Sequence, residues 1–141
     1  MYHLTIAPRF CETDALGHIN NSVVPMWFEQ ARDPIFKYFV PSMKPEDWNL
    51  IIARVEVDYL AQLEYAEDVE IKTWLGKIGN SSMSVVQEAW QNGVCCAKGK
   101  AVMIHFDYEA NAAQPIPPDI REKLAEHLRA EHLQAEHLQE V

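Results

Sequence analysis

The spacing of apolar residues predicts one long amphipathic helix in the first third of the chain. These residues recur at intervals of four, three, four and four, at Val24, Phe28, Ala31, Ile35 and Phe39. Such a spacing places them on one face of a helix, which is therefore expected to be buried. Asn20, Asn21 or Ser22 can cap the helix. Pro25 falls in the first turn, where proline is tolerated, whereas Pro34 predicts a kink.

A period of two is found elsewhere along the chain and predicts β-strands. The predicted strands cover residues 4–10, 50–59, 69–78, 82–90 and 94–106, and the third of them ends at the turn signal Gly79-Asn80. In the second of them Val55, Val57 and Tyr59 alternate with charged residues, which is typical of a half-buried strand. Asn92-Gly93 is a hairpin signal. Because the later strands are consecutive and joined by short turns, they are expected to form an antiparallel meander, followed by a helix from about Asp119.

Composition narrows the class of protein. The chain has 141 residues, of which 48% are hydrophobic and 23% charged, enough for one domain with a substantial core. It carries 12 Lys and Arg against 21 Asp and Glu, a formal net charge of -9. Nucleic acid is therefore not expected as a partner, because its phosphates would be repelled.

Cysteine usage and hydropathy bear on the cellular location of the protein and on membrane association. Cys11, Cys95 and Cys96 lack C-x-x-C spacing, so they predict neither a disulfide framework nor a zinc site. A reducing, cytoplasmic location fits this pattern. No uncharged apolar run approaches the ~20 residues of a membrane helix, and no membrane association is expected.

The C-terminal end contains a Glu-His-Leu triplet three times, with histidines at His127, His132 and His137. In a helix a step of five residues turns by ~500°, so the three imidazoles point in different directions. We therefore expect a solvated helix and no metal site. Leu124 and Leu128 share a face of this helix with Ile120, and docking to the domain is expected to weaken beyond Arg129.

The densest group of candidate functional residues lies between the first strand and the long helix, at residues 14–21. The first amides of a helix lack partners and carry partial positive charge, so they can polarise a carbonyl and stabilise an oxyanion. Asp14 can deprotonate a water or attack the acyl group itself, and Gly17 permits a tight turn. The same residue types also serve ordinary turns and caps, which is the alternative interpretation.

Other side chains near this loop have alternative roles. His18 can orient Asp14, hold the attacking water or protonate a leaving thiolate, or it is a loop histidine bonded to backbone. Asn20 is interpreted as a cap or brace of the loop. Glu29 lies ~12 Å along the helix from its start, too far to share a carbonyl with Asp14 in one chain. Cys11 is expected to be a small buried hydrophobe rather than a nucleophile.

The stretch 9–21, with its D-x-x-G-H-x-N-N motif, and Phe28-Glu29-Gln30-Ala31-Arg32 resemble the acyl-CoA thioesterases of the hotdog fold, in the 4-hydroxybenzoyl-CoA thioesterase-like branch. Segments 54–59, 77–82 and 115–117 are similar to the same family in order and spacing. The resemblance spans roughly residues 3 to 125.

The resemblance implies an α+β hotdog domain over residues 1–125, in which a five-stranded antiparallel sheet wraps a long central helix, with a C-terminal helical extension at 126–141. It implies hydrolysis of an acyl-CoA thioester without metal or cofactor, at an interface within a homodimer or homotetramer. The catalytic residues would be Asp14, His18 and Asn21. Substrate would be bound by Gly17, Asn20, Ser22 and Val24. Ser82 either borders the substrate channel from the partner subunit or belongs to an ordinary polar hairpin turn.

Three positions depart from the family pattern. Val24 stands where an aromatic residue is usual, which alters the lining of the acyl pocket. Gln62 and Ala66 replace a usual proline and glycine, which affects only a strand bend and a turn. Two alternatives remain open: a non-catalytic acyl-thioester-binding hotdog protein, and a hotdog hydratase or dehydratase. Neither the acyl chain nor its thiol carrier follows from the sequence.

Overall fold

The computed structural model describes residues 1–131, and its strands form one antiparallel sheet. The strands are β1 (Tyr2–Ile6), β2 (Leu50–Tyr59), β3 (Val69–Ile78), β4 (Ser82–Gln91), β5 (Val94–Asp107) and β6 (Ala112–Ala113). The main path has the order β1-β3-β4-β5-β2, and the two-residue β6 pairs with the end of β5. The prediction of an α+β class with a five-stranded antiparallel sheet is confirmed by the five main strands. The first strand begins and ends earlier than residues 4–10.

Strand β2 is the exception to the predicted meander. Strands β3, β4 and β5 follow one another through short turns, as expected, but β2 pairs with β5 instead of β3. The connection at residues 60–68 carries the chain past the start of β5, where Leu60 and Ala61 both donate backbone hydrogen bonds to the Cys96 carbonyl. Its Leu63 is buried in the core. The buried Leu63 therefore anchors a connection that runs from β2 to the non-adjacent strand β3, a distance that a short hairpin turn could not span.

The predicted long helix is divided into α1 (Val23–Ala31) and α2 (Asp33–Phe39). The break falls at Arg32, and Pro34 lies in the first turn of α2. Proline lacks an amide hydrogen and its ring collides with the carbonyl four residues earlier, so one continuous helix is excluded. Pro25 lies in the first turn of α1, as predicted. Two short 3-10 helices, Phe10–Glu12 and Pro45–Asp47, complete the N-terminal half.

The sheet curls around α1 and α2, and the core lies between them. The predicted inward row on β3, Val69, Ile71, Thr73 and Leu75, is buried. On β5, Gly99 lies against Phe28 of α1, where an added Cβ would come within 2.6 Å of the ring. The absence of a side chain at this position lets the helix approach the sheet closely.

Strand β2 is much more exposed than its alternating sequence predicts. Ile52, Val55 and Tyr59 remain 43%, 49% and 45% exposed. The prediction of a half-buried strand holds for Val57, which packs partly buried against the core, but is wrong for Val55 and Tyr59 in the single chain. The physical reason is position: β2 is the last strand on its side of the sheet, and α1 does not cover its outer half.

A third helix, α3 (Pro118–Ala125), begins at the predicted position, and its Ile120 and Leu124 are buried. Residues 126–131, the described part of the predicted helical extension, are not helical. Instead, the Leu75 amide donates to the His127 carbonyl at 2.9 Å, and the Arg129 amide donates to the Leu75 carbonyl at 2.9 Å. Strand β1 stops short of Leu75, so this segment pairs with β3 there.

The remaining tail predictions have mixed outcomes. The Leu128 side chain, expected on the docking face with Ile120 and Leu124, is 47% exposed because the helix has already ended. His132 and His137 lie outside the described residues. Within residues 1–131 no three His, Cys, Asp or Glu side chains are placed to hold a metal ion. In the same range, no helix is both long and apolar enough to cross a membrane.

Candidate active site

The loop before α1 is closed by short backbone contacts into a tight turn. Thr13 and Ile19 pair as an isolated bridge, and the Asp14 amide donates to the His18 carbonyl at 2.7 Å. Gly17 has a φ of +85°, in the left-handed region that residues with a side chain adopt only with strain. The predicted tight turn at Gly17 is therefore present, and its effect is to fold the loop back over Asp14.

The Asp14 carboxylate is held through one of its two oxygens. Its Oδ1 accepts hydrogen bonds from the Leu16 amide at 2.8 Å and from the His18 amide at 3.1 Å. Among residues 1–131, the second oxygen, Oδ2, has no hydrogen-bond partner. The side chain is partly exposed. The carboxylate is thus oriented by the protein and keeps one oxygen available for a proton or a carbon.

The start of α1 is organised by Asn20. Its Oδ1 accepts from both the amide and the hydroxyl of Ser22, each at 2.9 Å. The Asn21 carbonyl accepts a hydrogen bond from the Tyr59 hydroxyl at 2.6 Å, which ties the helix start to β2. Asn20 is therefore the predicted brace. The amides of the first turn lie at the positive end of the helix dipole.

A cavity of about 610 Å³ brings these elements together. Asp14, Asn20, Asn21 and Val24 line one side of it, and residues 59–63 line the other. Val24 is 2% exposed and contributes apolar surface. Of the residues predicted for the site, the structure places these four on the cavity wall. Ser22 and Gly17 do not line the cavity, and they contribute through the local conformation of the helix start and of the loop.

His18 does not face the same space as Asp14. Its imidazole lies 3.9 Å from the Glu64 carboxylate, and its backbone pairs with Glu64 as well. Its amide, rather than its ring, contacts Asp14. In the single chain His18 therefore contributes to the site through its backbone, which matches the loop-histidine alternative.

Ser82 is far from the cavity within one chain. It begins β4, whereas Gln91, which contacts the loop beside the cavity, ends the same strand. Ten residues of extended strand span roughly 30 Å. The expectation that Ser82 contacts substrate from a partner subunit stays a prediction.

Two buried polar residues position the site and were not singled out from the sequence. Glu12, 6% exposed, accepts from the Trp27 indole at 2.8 Å and from the Arg9 amide at 2.6 Å. Burial alone would raise the pKa of Glu12, but these hydrogen bonds and the Arg9 guanidinium hold it below its usual range. Gln91 donates to the Glu64 carbonyl and accepts from the Glu64 amide, both at 2.8 Å.

The loop ahead of α1 and the loop opposite are thus each anchored by a buried side chain. Glu12 joins the first loop to α1, and its carbonyl also accepts from the Asn20 amide at 2.8 Å. A local signal for Glu12 was available, since a glutamate can accept from the amide three residues before it at the start of a helix, as Glu12 does from the Arg9 amide. For Gln91 no local signal exists, because its partner lies 27 residues away.

Other candidates lie away from the cavity wall. Cys11 is exposed, so its predicted burial is wrong: it lies on a short 3-10 helix at the surface. Cys96 is buried and Cys95 half-buried, on opposite faces of β5. Burial raises the pKa of Cys95 to about 11, which disfavours the thiolate. Glu29 is exposed on α1 and lines a different cavity.

Comparisons with known proteins agree with this geometry. The sequence profile of the thioesterase-like superfamily matches residues 8–124. A structure described as a predicted thioesterase from Bacillus stearothermophilus is 45% identical, covers 93% of this chain and 98% of that chain, and superposes with a TM-score of 0.89. A thioesterase from Thermus thermophilus, solved with coenzyme A and zinc, is 30% identical, with coverage of 87% and 96% and a TM-score of 0.77.

The uncharacterised protein YsmA of Bacillus subtilis is similar in sequence. It is 28% identical over 121 residues, which make up 84% of this chain and 82% of that protein. The matched lengths are close to complete on both sides. The loop that carries Asp14 falls within residues 8–124, which the superfamily profile matches.

Proposed function

Because the chain belongs to the thioesterase-like superfamily, we propose that it hydrolyses an acyl-CoA thioester to a free acid and coenzyme A. The observation that carries this proposal is the Asp14 carboxylate, with Oδ1 fixed by two amides and Oδ2 available, on the wall of the same cavity as the start of α1. A base and a carbonyl-polarising group therefore border one space.

In the proposed reaction the thioester carbonyl oxygen faces the first turn of α1. Ser22 and Val23 already donate their amides to Asn20 and Pro25 has no amide hydrogen, so the Val24 amide is proposed to stabilise the negative charge that develops on this oxygen. Asp14 Oδ2 takes a proton from a water as the water attacks the carbonyl carbon, collapse of the tetrahedral intermediate expels the thiolate of coenzyme A, and the thiolate takes up the proton from Asp14. Alternatively, Oδ2 attacks the carbon itself and forms an anhydride that water then hydrolyses. Both routes consume one water and yield acid and thiol.

Coenzyme A as thiol carrier is supported by the relative from Thermus thermophilus, a thioesterase solved with coenzyme A. The acyl group would pack on Val24, where the cavity wall is apolar. Because valine is smaller than an aromatic side chain, this position leaves room for part of the acyl group. The direction of the acyl chain beyond Val24 depends on what covers β2.

The geometry disfavours a hydratase or dehydratase. Such an enzyme needs a histidine and an acid on one substrate unit, whereas the His18 ring lies against Glu64 and outside the cavity wall that holds Asp14. A non-catalytic acyl-thioester-binding protein is the remaining alternative. It would use the same cavity without the chemistry of Asp14, so a substitution of Asp14 separates the two functions.

A second copy of the chain is proposed to cover β2 and complete the cavity. This strand has ten residues, forms one edge of the sheet and exposes Ile52, Val55 and Tyr59. Long apolar edge strands are normally paired or covered. Pairing of β2 with its symmetry mate would extend the sheet and bring a second chain next to Tyr59, which lines the cavity.

The dimer proposal is tested with a charge on the β2 edge. Val55→Lys should convert the dimer to monomer in sedimentation and lower activity together with dimer content. Val94→Lys is the matched control, because Val94 is 51% exposed, close to the 49% of Val55, but lies at the β4–β5 hairpin. An unchanged mass for Val55→Lys, or an active monomer, contradicts the proposal.

The proposed activity is tested by a thiol-release screen over short, long and aromatic acyl-CoAs. We expect hydrolysis of at least one class that saturates with substrate and depends on Asp14. Absence of thiol release with every class, combined with acyl-CoA binding by calorimetry, would favour the binding protein instead.

A further inference from the structure

Two exposed aromatic rings lie in contact beside the cavity that contains Asp14. Phe10 is 76% exposed and Tyr65 is 45% exposed. Their ring centroids are 6.0 Å apart with an interplanar angle of 84°, so this T-shaped pair joins the loop before α1 to the segment between β2 and β3. The two rings form a corner, in which a flat group that stacks on one ring meets the other ring with its edge.

The two segments that carry these rings also form part of the cavity wall. The Ile19 amide donates to the Leu63 carbonyl at 2.8 Å, and both residues line the cavity. The next residues outward, His18 and Glu64, pair with each other as an isolated bridge. Tyr65 follows Glu64 directly, so the aromatic pair lies at the rim of the cavity, just outside its wall.

The surroundings of the cavity offer little positive charge to the phosphates of coenzyme A. None of the described residues that line the cavity is Lys or Arg. Arg9, next to Phe10, has its Nε 3.5 Å from a carboxylate oxygen of Glu12, and Glu64, next to Tyr65, adds a negative charge. The chain carries a net charge of -9. Ion pairing is therefore a weak anchor for a nucleotide here, whereas an aromatic contact with an uncharged base does not need a cation.

We propose that Phe10 and Tyr65 stack on the adenine ring of coenzyme A and thereby select acyl-CoA over thioesters whose carrier lacks the nucleotide. The inference rests on the proposed hydrolysis of acyl-CoA. The thioester lies at Asp14 inside the cavity, and the pantetheine arm connects it with the adenine at the rim. Stacking of a base on an aromatic side chain contributes to binding without any contact to phosphate. The aromatic pair is thus a determinant of the thiol carrier rather than of the acyl group.

The test compares the best acyl-CoA from the thiol-release screen with the acyl-pantetheine that carries the same acyl group. Phe10→Ala should lower kcat/KM for the acyl-CoA by about tenfold, a typical loss for one base stack, and leave kcat/KM for the acyl-pantetheine unchanged. Tyr65→Ala should act in the same direction, and Phe10→Trp should retain the parent value because it keeps an aromatic face. Phe106→Ala is the matched control, since Phe106 forms a T-shaped pair with Tyr108 at 5.2 Å elsewhere in the fold, and it should leave both values unchanged.

Calorimetry with coenzyme A separates this inference from the proposed hydrolysis. If the parent releases thiol from no substrate, the hydrolytic function fails, while binding of coenzyme A that is about tenfold weaker in Phe10→Ala still supports the stacking site. Equal losses with acyl-CoA and acyl-pantetheine, equal affinity of Phe10→Ala and the parent for coenzyme A, or no binding by the parent would overturn it. Binding that weakens as NaCl is raised would show that ion pairs hold the nucleotide instead. A lower sedimentation mass of Phe10→Ala would identify the aromatic pair as a contact between copies of the chain. Circular dichroism establishes that each variant is folded.

Discussion

Substitution of Asp14 by Asn separates the chemical role of this carboxylate from its role in the turn. Asparagine keeps an oxygen at the Oδ1 position, so the hydrogen bonds from the Leu16 and His18 amides can persist. Its other atom is an NH2 group, which neither accepts a proton nor attacks a carbon. We therefore expect a folded protein whose kcat is lower by about 10² to 10⁴, or roughly 3–5 kcal/mol of transition-state stabilisation.

Substitution of Asp14 by Ala should add a structural loss to the chemical one. It removes both amide contacts, and since the side chain is partly exposed, water compensates for part of each. A cost of about 1–2 kcal/mol follows, visible as a fall of a few degrees in Tm. The Asn variant should lie within about 1 kcal/mol of the parent. The two variants should therefore share low activity and differ in stability.

The assay is thiol release under saturating acyl-CoA, with Tm measured on the same samples. Asp68→Asn is the control, because Asp68 is an exposed aspartate outside the cavity wall. Mass spectrometry excludes reversion of the introduced asparagine to aspartate by deamidation. Hydrolysis by Asp14→Asn within about twofold of the parent would refute the role of Asp14 in the reaction. Single-turnover hydrolysis in heavy-oxygen water then tests the nucleophilic role, since an unlabelled product acid together with heavy oxygen in Asp14 requires attack by Asp14 itself.

Three further outcomes follow from the contacts around the site and the C-terminal segment. Glu12→Gln should lower the free energy of unfolding by about 1–3 kcal/mol in urea titrations, because it weakens buried hydrogen bonds from the Trp27 indole and the Arg9 amide. In the parent protein, the stability that the Glu12 carboxylate contributes should be present above pH 4.5 and be lost as pH falls below it, since folding lowers the pKa of Glu12. Burial and the nearby N-terminal ammonium lower the pKa of His127 from 6.5. The contacts between the C-terminal segment and β3 should therefore be intact above pH 6.5 and weaken below it, which faster hydrogen exchange of the Arg129 amide would show. Deleting residues 132–141 should leave thiol release and metal content unchanged, measured by the same assay and by elemental analysis.

Features set by local sequence were predicted well. The helix face of α1, the Asn92-Gly93 turn and the left-handed Gly17 each depend on residues within a few positions of one another. The Asp14 turn belongs to the same class, because its partners are the amides two and four residues on. Propensity and spacing carry such information directly.

Features that depend on distant partners were not predicted. Gln91 anchors the loop at Glu64 across 27 residues, and Glu12 finds the Trp27 indole across 15. Nothing near Gln91 identifies Glu64, and nothing near Glu12 identifies the Trp27 indole, although the Arg9 amide, the other partner of Glu12, lies only three residues away. The end of α3 at Ala125 is similar, since the next residues continue a helix-compatible sequence and leave it only to pair with the open side of Leu75. Tertiary pairing outweighs local propensity in this segment.

The sequence of β2 alternates as in a strand with one buried face, yet several of its apolar side chains are exposed. This mismatch marks the surface where a second chain is proposed to bind. Val55, Val57 and Tyr59 alternate with charged residues, as a strand with one buried face does. In the single chain, however, Val55 and Tyr59 remain about half exposed. Val57 already packs against the core that includes residues of α1, so burying Val55 and Tyr59 requires apolar surface that α1 does not supply. Because Tyr59 also bonds the Asn21 carbonyl at the start of α1, any partner that covers β2 contacts the strand that holds the carbonyl-polarising turn. Association and hydrolysis are therefore expected to be lost together when this edge is charged.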